Sequence, residues 1–194
     1  MRLKLLMALF AGGVVFSASA SAYEPSYAAM MANTCNGCHG TNGVSAGPNM
    51  PNLGGVPASY MVDQMKLFKS GERPSSVMGR LAKGYSDEDI AAMAKYFAAV
   101  KYVGAKQPVD DAKAARGKVV HEENCKKCHT ENGRDSEDGG IVAGQWIEYL
   151  QISMNEFRSG KRKMPKKMAN RIEGDGKLPD ADVEALIHFY ASQQ

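Results

Sequence analysis

The sequence predicts an all-α protein made of two copies of one helical unit. Apolar residues recur with helical spacing in several long segments, and no segment alternates between apolar and polar residues as a strand would. The second half of the chain also repeats the first half in the same order, at an offset of about 90 residues, which indicates a tandem duplication.

Three pairs of segments define the repeat. CNGCHGTNG at 35–43 matches CKKCHTENG at 125–133, YMVDQMKLFKSG at 60–71 matches YLQISMNEFRSG at 149–160, and YSDEDIAAMAKYFAAV at 85–100 matches LPDADVEALIHFYASQQ from residue 178. Their offsets of 90, 89 and 93 residues differ only by small changes in loop length. Gly104 and Pro108 interrupt the helical pattern between the copies. We therefore expect one domain at 23–103 and a second at 104–194.

Two helices of each unit can be located from their apolar spacing. The middle helices carry six apolar side chains that we expect in the core, namely Met61, Met65 and Phe68 and their counterparts Leu150, Met154 and Phe157. The last helix of unit one begins after the N-cap candidate Ser86. Its apolar stripe, repeated in unit two, consists of Ile90, Met93, Ala94 and Phe97 and then Val183, Leu186, Ile187 and Tyr190.

The first 22 residues have the pattern of a secretory signal peptide. Arg2 and Lys4 precede an apolar run, and small residues end at Ala22, where we expect cleavage and hence a periplasmic protein. A membrane anchor is the alternative, but the apolar run is shorter than the roughly 20 residues of a spanning helix. We therefore expect no membrane span.

The charge of the chain is nearly balanced. It has 24 Lys and Arg against 21 Asp and Glu, and two of the basic residues belong to the predicted signal peptide. Proteins that bind nucleic acid usually carry a strong basic excess. Nucleic acid is therefore not expected as a partner.

All four cysteines lie in two C-x-x-C-H motifs. In an exported protein the default use of cysteine is a disulfide, and C-x-x-C can also form half of a zinc site, but neither explains a histidine directly after both pairs. The motif is the attachment signature of c-type haem. We expect two covalent haem c groups, bound through Cys35, Cys38, Cys125 and Cys128, with His39 and His129 as iron ligands.

The other axial ligand should be a residue found at corresponding places in both units. Met78 and Met168 lie 90 residues apart, which is also the offset of the haem motifs, so we expect them to complete His/Met coordination. Met164 is the alternative in unit two. His121 and His188 have no counterparts in unit one, and we expect structural or surface roles for them.

A haem-ligating histidine normally donates its second ring N–H to a fixed acceptor. Pro51 is the expected source of that carbonyl in unit one, with Pro48 as the alternative. The residue that corresponds to Pro51 in unit two is Gly140, so we expect His129 to be held less rigidly.

Longer segments point to a family. The haem motifs, the Pro-Asn-Leu-x-Gly segment at 51–55 and a late Met before the last helix resemble class I cytochrome c, here as two tandem domains. SVMGRLAKGYS, VAGQWIEYLQ, PKKMANRI and FYASQQ more specifically resemble the haem subunits of flavocytochrome c sulfide dehydrogenases. This resemblance extends over nearly all of the chain after residue 22.

The resemblance implies a heterodimer with an FAD flavoprotein subunit in the periplasm. Sulfide would be oxidised on the flavin, and electrons would leave singly through two haems to a soluble cytochrome or a similar acceptor. This chain itself has no glycine motif for a nucleotide and no cysteine left for a redox dithiol, so we expect no catalytic residue in it.

Two other functions compete with that of an electron-transfer subunit. The first is a free-standing two-haem shuttle to a terminal oxidase, which would use the same ligands. The second is a two-haem peroxidase, which would need an open iron position in one unit. The paired Met78 and Met168 argue against a peroxidase.

A basic run lies beside the second ligand candidate. The segment KRKMPKK places Lys161, Arg162, Lys163, Lys166 and Lys167 next to Met168, whereas the chain around Met78 is nearly neutral. A positive surface around a redox centre steers acidic partners. We therefore expect haem two to face an exchangeable acceptor and haem one to face the flavoprotein.

Overall fold

The computed structural model describes residues 26–135, 139–173 and 177–194. Every regular element in these ranges is a helix, which confirms the predicted fold class. The predicted signal peptide at 1–22 lies outside the described residues. No helix in the described ranges is long and apolar enough to cross a membrane.

The helices follow the same order in both units. Unit one contains α1 (Tyr27–Asn33), α2 (Asn36–His39), α3 (Ala58–Ser70), α4 (Met78–Leu81) and α5 (Asp87–Ala99). Unit two contains α6 (Asp111–Asn124), α7 (Ile147–Arg158), α8 (Lys166–Ile172) and α9 (Asp180–Ser192). Short 3-10 turns at Thr41–Gly43, Ala82–Gly84 and Glu131–Gly133 join them.

In each unit the first helix packs on the last, α1 on α5 and α6 on α9. The close packing of α6 on α9 depends on Gly117, because a Cβ at this position would lie 2.0 Å from the Ala185 carbonyl oxygen. Both apolar stripes predicted for the last helices are buried. These helices therefore form the centre of each unit.

The predicted N-cap of α5 is confirmed. The Ser86 hydroxyl accepts from the Asp89 N–H at 3.1 Å, and the Asp89 carboxylate accepts from the Ser86 N–H at 2.8 Å. This reciprocal pair is a capping box. The equivalent helix α9 begins after Pro179 without a side-chain cap.

Each unit has its own cluster of buried apolar side chains. The unit-one cluster has five members, Ala32, Val56, Met61, Ala94 and Phe97. The unit-two cluster has nine, Val120, Leu150, Ile172, Leu178, Val183, Leu186, Ile187, Phe189 and Tyr190. The smaller unit-one cluster gives that unit less internal apolar burial.

Four of the six side chains expected in the core of the middle helices are only half-buried. They are Met65, Phe68, Met154 and Phe157. The two phenylalanines instead lie under arginine side chains, with the Arg73 guanidinium 4.5 Å from the Phe68 ring centroid and that of Arg162 4.3 Å from the Phe157 ring centroid. Helical spacing identified the inward face but not these arginine contacts.

Candidate haem sites

Both C-x-x-C-H motifs fold into the same helical turn. The Cys38 N–H donates to the Cys35 carbonyl at 3.2 Å and the His39 N–H donates to it at 2.9 Å. The matching distances to the Cys125 carbonyl are 3.1 Å for Cys128 and 2.9 Å for His129. The turn places both cysteines and the histidine on one side of the backbone, as attachment and ligation of one haem require.

The alternatives for the cysteines find no support. All four are free thiols in the structure. In the part of the chain that the structure describes, no three His, Cys, Asp or Glu side chains gather as a zinc site would require.

His39 is held as predicted. Its Nδ1 lies 2.9 Å from the Pro51 carbonyl oxygen, which confirms Pro51 rather than Pro48 as the partner. Burial lowers the pKa of His39, against the opposing effect of the Pro51 carbonyl. The ring is therefore neutral at pH 7, with Nδ1–H donating to Pro51 and the Nε2 lone pair available to a metal.

His129 lacks an equivalent partner. Its Nδ1 is buried and has no hydrogen-bond acceptor among the described residues. Burial, and then the charge of His121, lower the pKa of His129, so this ring is also neutral. The prediction that His129 is held less rigidly agrees with this geometry.

Tyr60 of unit one explains why unit two has a glycine where unit one has Pro51. A Cβ at Gly140 would lie 2.5 Å from the Tyr60 ring, so a side chain at this position does not fit. The loops that contain these two positions are closed alike, because Leu53 N–H donates to the Gly43 carbonyl at 2.8 Å and Val142 N–H donates to the Gly133 carbonyl at 2.9 Å. The Tyr60 ring therefore packs at the position in unit two that corresponds to Pro51.

The helices that carry the methionine candidates correspond between the units. Met78 is the first residue of α4 and Met168 lies in α8, and both side chains are half-buried. Four residues after each, Ala82 and Ile172 are buried, so the offset of 90 also holds for the inward faces of these helices. This correspondence favours Met168, although Met164 also packs against the unit-two core.

A cluster of arginines and tyrosines lies between the two units. The Arg73 Nη1 donates to the Gln64 side-chain oxygen at 2.8 Å, and the Arg162 Nη2 donates to the same oxygen at 2.9 Å. Arg73 also reaches the hydroxyl of Tyr149 at 3.4 Å, and Arg162 reaches that of Tyr60 at 3.2 Å. The contacts are related by the repeat, since Tyr149 corresponds to Tyr60 and Arg162 to Arg73 at an offset of 89.

Both arginines are buried without a carboxylate partner. Each is 7% exposed, and in the described ranges neither forms an ion pair with Asp or Glu. The Arg73 Nε is buried with no hydrogen-bond partner. Two uncompensated guanidinium groups in one place are costly unless an anion joins them. The carboxylates of porphyrin side chains supply such anions, so this cluster fits the predicted haem groups.

The remaining histidines have structural contacts, as expected. His121 is buried and its Nδ1 lies 3.0 Å from the Tyr190 hydroxyl. The His188 Nδ1 accepts from the Asp110 N–H at 3.2 Å, next to the start of α6.

The basic run beside Met168 is smaller than the sequence suggested. Arg162 was counted in it, but this side chain is buried in the arginine cluster and is not a surface charge. Lys161, Lys163, Lys166 and Lys167 are exposed. Sequence reasoning also missed the cluster itself, although Arg73 and Arg162 match at the offset of the middle helices.

Comparison with known proteins assigns both units to one family. The cytochrome c family model matches residues 27–101 and 114–194. The chain is 32% identical over 193 residues to cytochrome c4 of Pseudomonas aeruginosa, covering 95% of this chain and 94% of that protein. It is 30% identical over 178 residues to a thiosulfate dehydrogenase electron acceptor of Stutzerimonas stutzeri, covering 85% and 80%.

The fold is similar to solved two-domain structures. The crystal structure of reduced recombinant cytochrome c4 from Pseudomonas stutzeri matches with a TM-score of 0.75 and 25% identity, covering 89% of this chain and all of that one. The cytochrome subunit of sulfide dehydrogenase from Chlorobaculum tepidum is 44% identical, but over only 48 residues, or 25% of this chain and 44% of that protein. The similarity over the whole chain is thus to two-domain cytochromes of the c4 type, and that to a sulfide dehydrogenase subunit is local.

Proposed function

The chain belongs to the cytochrome c family, and from that premise we propose that it is the electron-transfer subunit of a sulfide-oxidising flavoprotein complex in the periplasm. As a two-domain cytochrome of the c4 type it carries two covalent haem c groups, attached at Cys35 and Cys38 and at Cys125 and Cys128. It is an electron-transfer protein. The partner and the acceptor are the proposed part.

We assign the axial ligands as His39 and Met78 in the domain at 23–103, and His129 and Met168 in the domain at 104–194. A haem with His/Met coordination supplies reversible one-electron chemistry at a raised potential. The protein residues keep both imidazoles neutral through burial and hold the His39 ring by its contact with Pro51. The arginine cluster between the units would hold the carboxylates of the porphyrin side chains.

One observation among the comparisons supports the sulfide assignment. The local match to the sulfide dehydrogenase cytochrome subunit has 44% identity, which is higher than the 30–32% of the whole-chain matches named above. Such a subunit accepts electrons that an FAD flavoprotein removes from sulfide, and passes them singly to a soluble acceptor. We assign the oxidation of sulfide to the flavoprotein partner and no catalytic residue to this chain.

Purification of the native protein under mild conditions tests this proposal. We expect a flavoprotein to co-elute with the two-haem chain, and sulfide to reduce the haems only in those fractions. A chain that elutes alone, and that sulfide fails to reduce in the presence of the flavoprotein fraction, would contradict the proposal.

The whole-chain similarity favours a second candidate. The matches to cytochrome c4 and to thiosulfate dehydrogenase electron acceptors support a free-standing two-haem carrier that accepts electrons from a dehydrogenase and passes them towards an oxidase. In that case the chain elutes without flavin, and a separately purified dehydrogenase reduces it in a reaction of second order.

A further inference from the structure

The loop that holds His39 lies at the contact between the two units. Pro51 supplies the carbonyl that His39 contacts at 2.9 Å, and Asn52 is the next residue. Asn52 is 1% exposed and Gln145 of unit two is 2% exposed, so both are buried. Buried polar groups need hydrogen-bond partners, and each of these two residues finds partners in the other unit.

Gln145 bonds both backbone groups of Asn52. The Asn52 N–H donates to Gln145 Oε1 at 2.9 Å, and Gln145 Nε2 donates to the Asn52 carbonyl at 3.0 Å. A side-chain amide can do both because it carries an acceptor oxygen and two N–H donors. This pair of bonds fixes the two peptide planes that flank Asn52.

One of these planes also carries the acceptor of His39. The Pro51 carbonyl and the Asn52 N–H belong to the same peptide unit, which is planar and presents its C=O and N–H in opposite directions. Gln145 therefore holds one end of a rigid group whose other end contacts His39. A hydrogen bond to the N–H also polarises the amide and makes its carbonyl oxygen a better acceptor.

Gln145 itself is held from its own unit. The Gln107 Nε2 donates to the Gln145 carbonyl at 2.9 Å, and the Ile147 N–H donates to Gln107 Oε1 at 2.8 Å. The Asn52 side chain adds a longer contact across the interface, from its Nδ2 to the Gly144 carbonyl at 3.4 Å. The backbone of Gln145 is thus fixed in unit two while its side chain reaches unit one.

The corresponding residues of the repeat do not return this support. At the offset of 89, Gln145 corresponds to Val56 and Asn52 to Ile141. Val56 is buried in the apolar cluster of unit one and has no polar side-chain atom. Gln145 Nε2 also donates to the Ile141 carbonyl at 3.4 Å, but among the described residues His129 Nδ1 has no acceptor that this contact could orient.

We propose that Gln145 is a positioning residue for haem one, which holds the Pro51–Asn52 peptide so that its carbonyl accepts from His39 Nδ1 and thereby lowers the reduction potential of that haem. A bond from Nδ1 makes the imidazole a stronger donor to iron and favours the ferric state. A side chain of one domain thus tunes the haem of the other. The inference rests on His39 as an iron ligand and does not depend on the sulfide-oxidising partner.

Three variants, each prepared as the full two-haem protein, test the proposal. Gln145→Met keeps the length of the side chain and removes its hydrogen bonds to Asn52. Gln107→Met is the matched control, because it removes two hydrogen bonds from the same segment of unit two and leaves both bonds to Asn52. Gln145→Asn is one methylene shorter and cannot reach both groups of Asn52, so it takes the place of Gln145→Met if that protein does not fold.

Redox titrations give the first measurement. We expect the midpoint potential of haem one to rise in Gln145→Met, although the substitution is in unit two, and that of haem two to stay at the parent value. Gln107→Met should leave both midpoints unchanged. The Met78→Ala and Met168→Ala proteins assign the two waves. A parallel shift of both haems would show that Gln145 only holds the units together, and would overturn the proposal.

Hydrogen exchange gives the second measurement. In the reduced, diamagnetic protein labelled with ¹⁵N, the Nδ1–H of His39 is followed after transfer to D₂O. We expect its exchange to become about tenfold faster in Gln145→Met, because the bond to Pro51 is weakened, and to stay at the parent rate in Gln107→Met.

The proposal requires both changes at haem one. An unchanged potential, an unchanged exchange rate, or equal changes in Gln107→Met would each overturn it. Co-elution with a flavoprotein is scored on the parent protein, so a failure of this inference and a failure of the sulfide assignment give different results.

Discussion

The two units share one backbone plan around their C-x-x-C-H turns but differ in what holds the histidine. In unit one, Pro51 presents its carbonyl to His39 at 2.9 Å. In unit two, Gly140 takes the corresponding place, and the Tyr60 ring fills the space that a side chain there would need. The contact between the units thus lies at the position where the two loops differ, and the two histidines are held unequally.

The largest expected effect concerns the dependence of each unit on its haem. Replacing Cys35 and Cys38 by Ser should unfold unit one, and replacing Cys125 and Cys128 should unfold unit two, because small domains need a cofactor to complete the core. We expect each variant to lose about half of the helical circular dichroism, with unit one more sensitive because its buried cluster is smaller. A cooperatively melting, fully helical apoprotein would contradict this.

Axial ligation should be affected one site at a time. Met78→Ala and Met168→Ala should each remove half of the thioether-to-iron absorption band and allow one haem to bind carbon monoxide. Met164→Ala serves as the matched control and should leave both signals unchanged. If Met164→Ala opens a haem and Met168→Ala does not, the alignment of α4 with α8 is wrong.

Replacing either arginine of the cluster should lower the unfolding free energy by almost the same amount. Arg73→Ala or Arg162→Ala leaves a buried anion unpaired, which typically costs about 3–5 kcal/mol of unfolding free energy. Lys95→Ala, an exposed change, should stay within about 0.5 kcal/mol. Guanidinium titrations of the holoprotein measure both. A cost below about 1 kcal/mol for either arginine would show that no carboxylate lies against the cluster.

The two haems should differ in reduction potential. A hydrogen bond from Nδ1 makes an imidazole a stronger donor and favours the ferric state, and this bond is present for His39 but not for His129. The exposed lysines Lys161, Lys163 and Lys166, on the segment before Met168, also favour the ferrous state of haem two. A hydrogen bond of about 1 kcal/mol corresponds to on the order of 40 mV for a one-electron couple.

We therefore expect haem two to be reduced first. Redox titrations of the Met78→Ala and Met168→Ala proteins assign the two waves, because each variant shifts only its own haem. If the wave of unit one lies at the higher potential, the missing hydrogen bond does not set the order.

The smallest expected effect is at the start of the last helices. Ser86→Ala removes a capping box and should lower the unfolding free energy by about 1 kcal/mol. Pro179→Ala in unit two removes no side-chain cap and should cost less. Thermal melts of the two variants, compared with the parent protein, measure the difference.

Much of this structure could be predicted from local patterns. Spacing of 3.6 residues located α3, α5, α7 and α9, and Ser86 just before the apolar stripe located the cap of α5. The contact of His39 with Pro51 followed from the need of a ligand histidine for an acceptor. Each of these features depends on residues that are close in the sequence.

The interface between the units could not be predicted in this way. The sequence pattern places Arg162 in the exposed basic run and indicates no role for Arg73. Their burial depends on side chains about 75 to 100 residues away, at Tyr149 and Tyr60. The alignment of the two units does contain a signal for the cluster. Arg162 follows Arg73 at the same offset of 89 residues at which Tyr149 follows Tyr60.

Gln64 shows what a fused pair can do that a symmetric dimer cannot. Its single side-chain oxygen accepts from both arginines, so it lies close to the pseudo-twofold axis that relates the units. The corresponding residue in unit two is the smaller, buried Ser153. In a homodimer every residue near the axis meets its own copy, and two glutamines would compete for one position. Covalent fusion of the two units removes that constraint. One of the two corresponding positions can then carry a long side chain, Gln64, and the other a short one, Ser153.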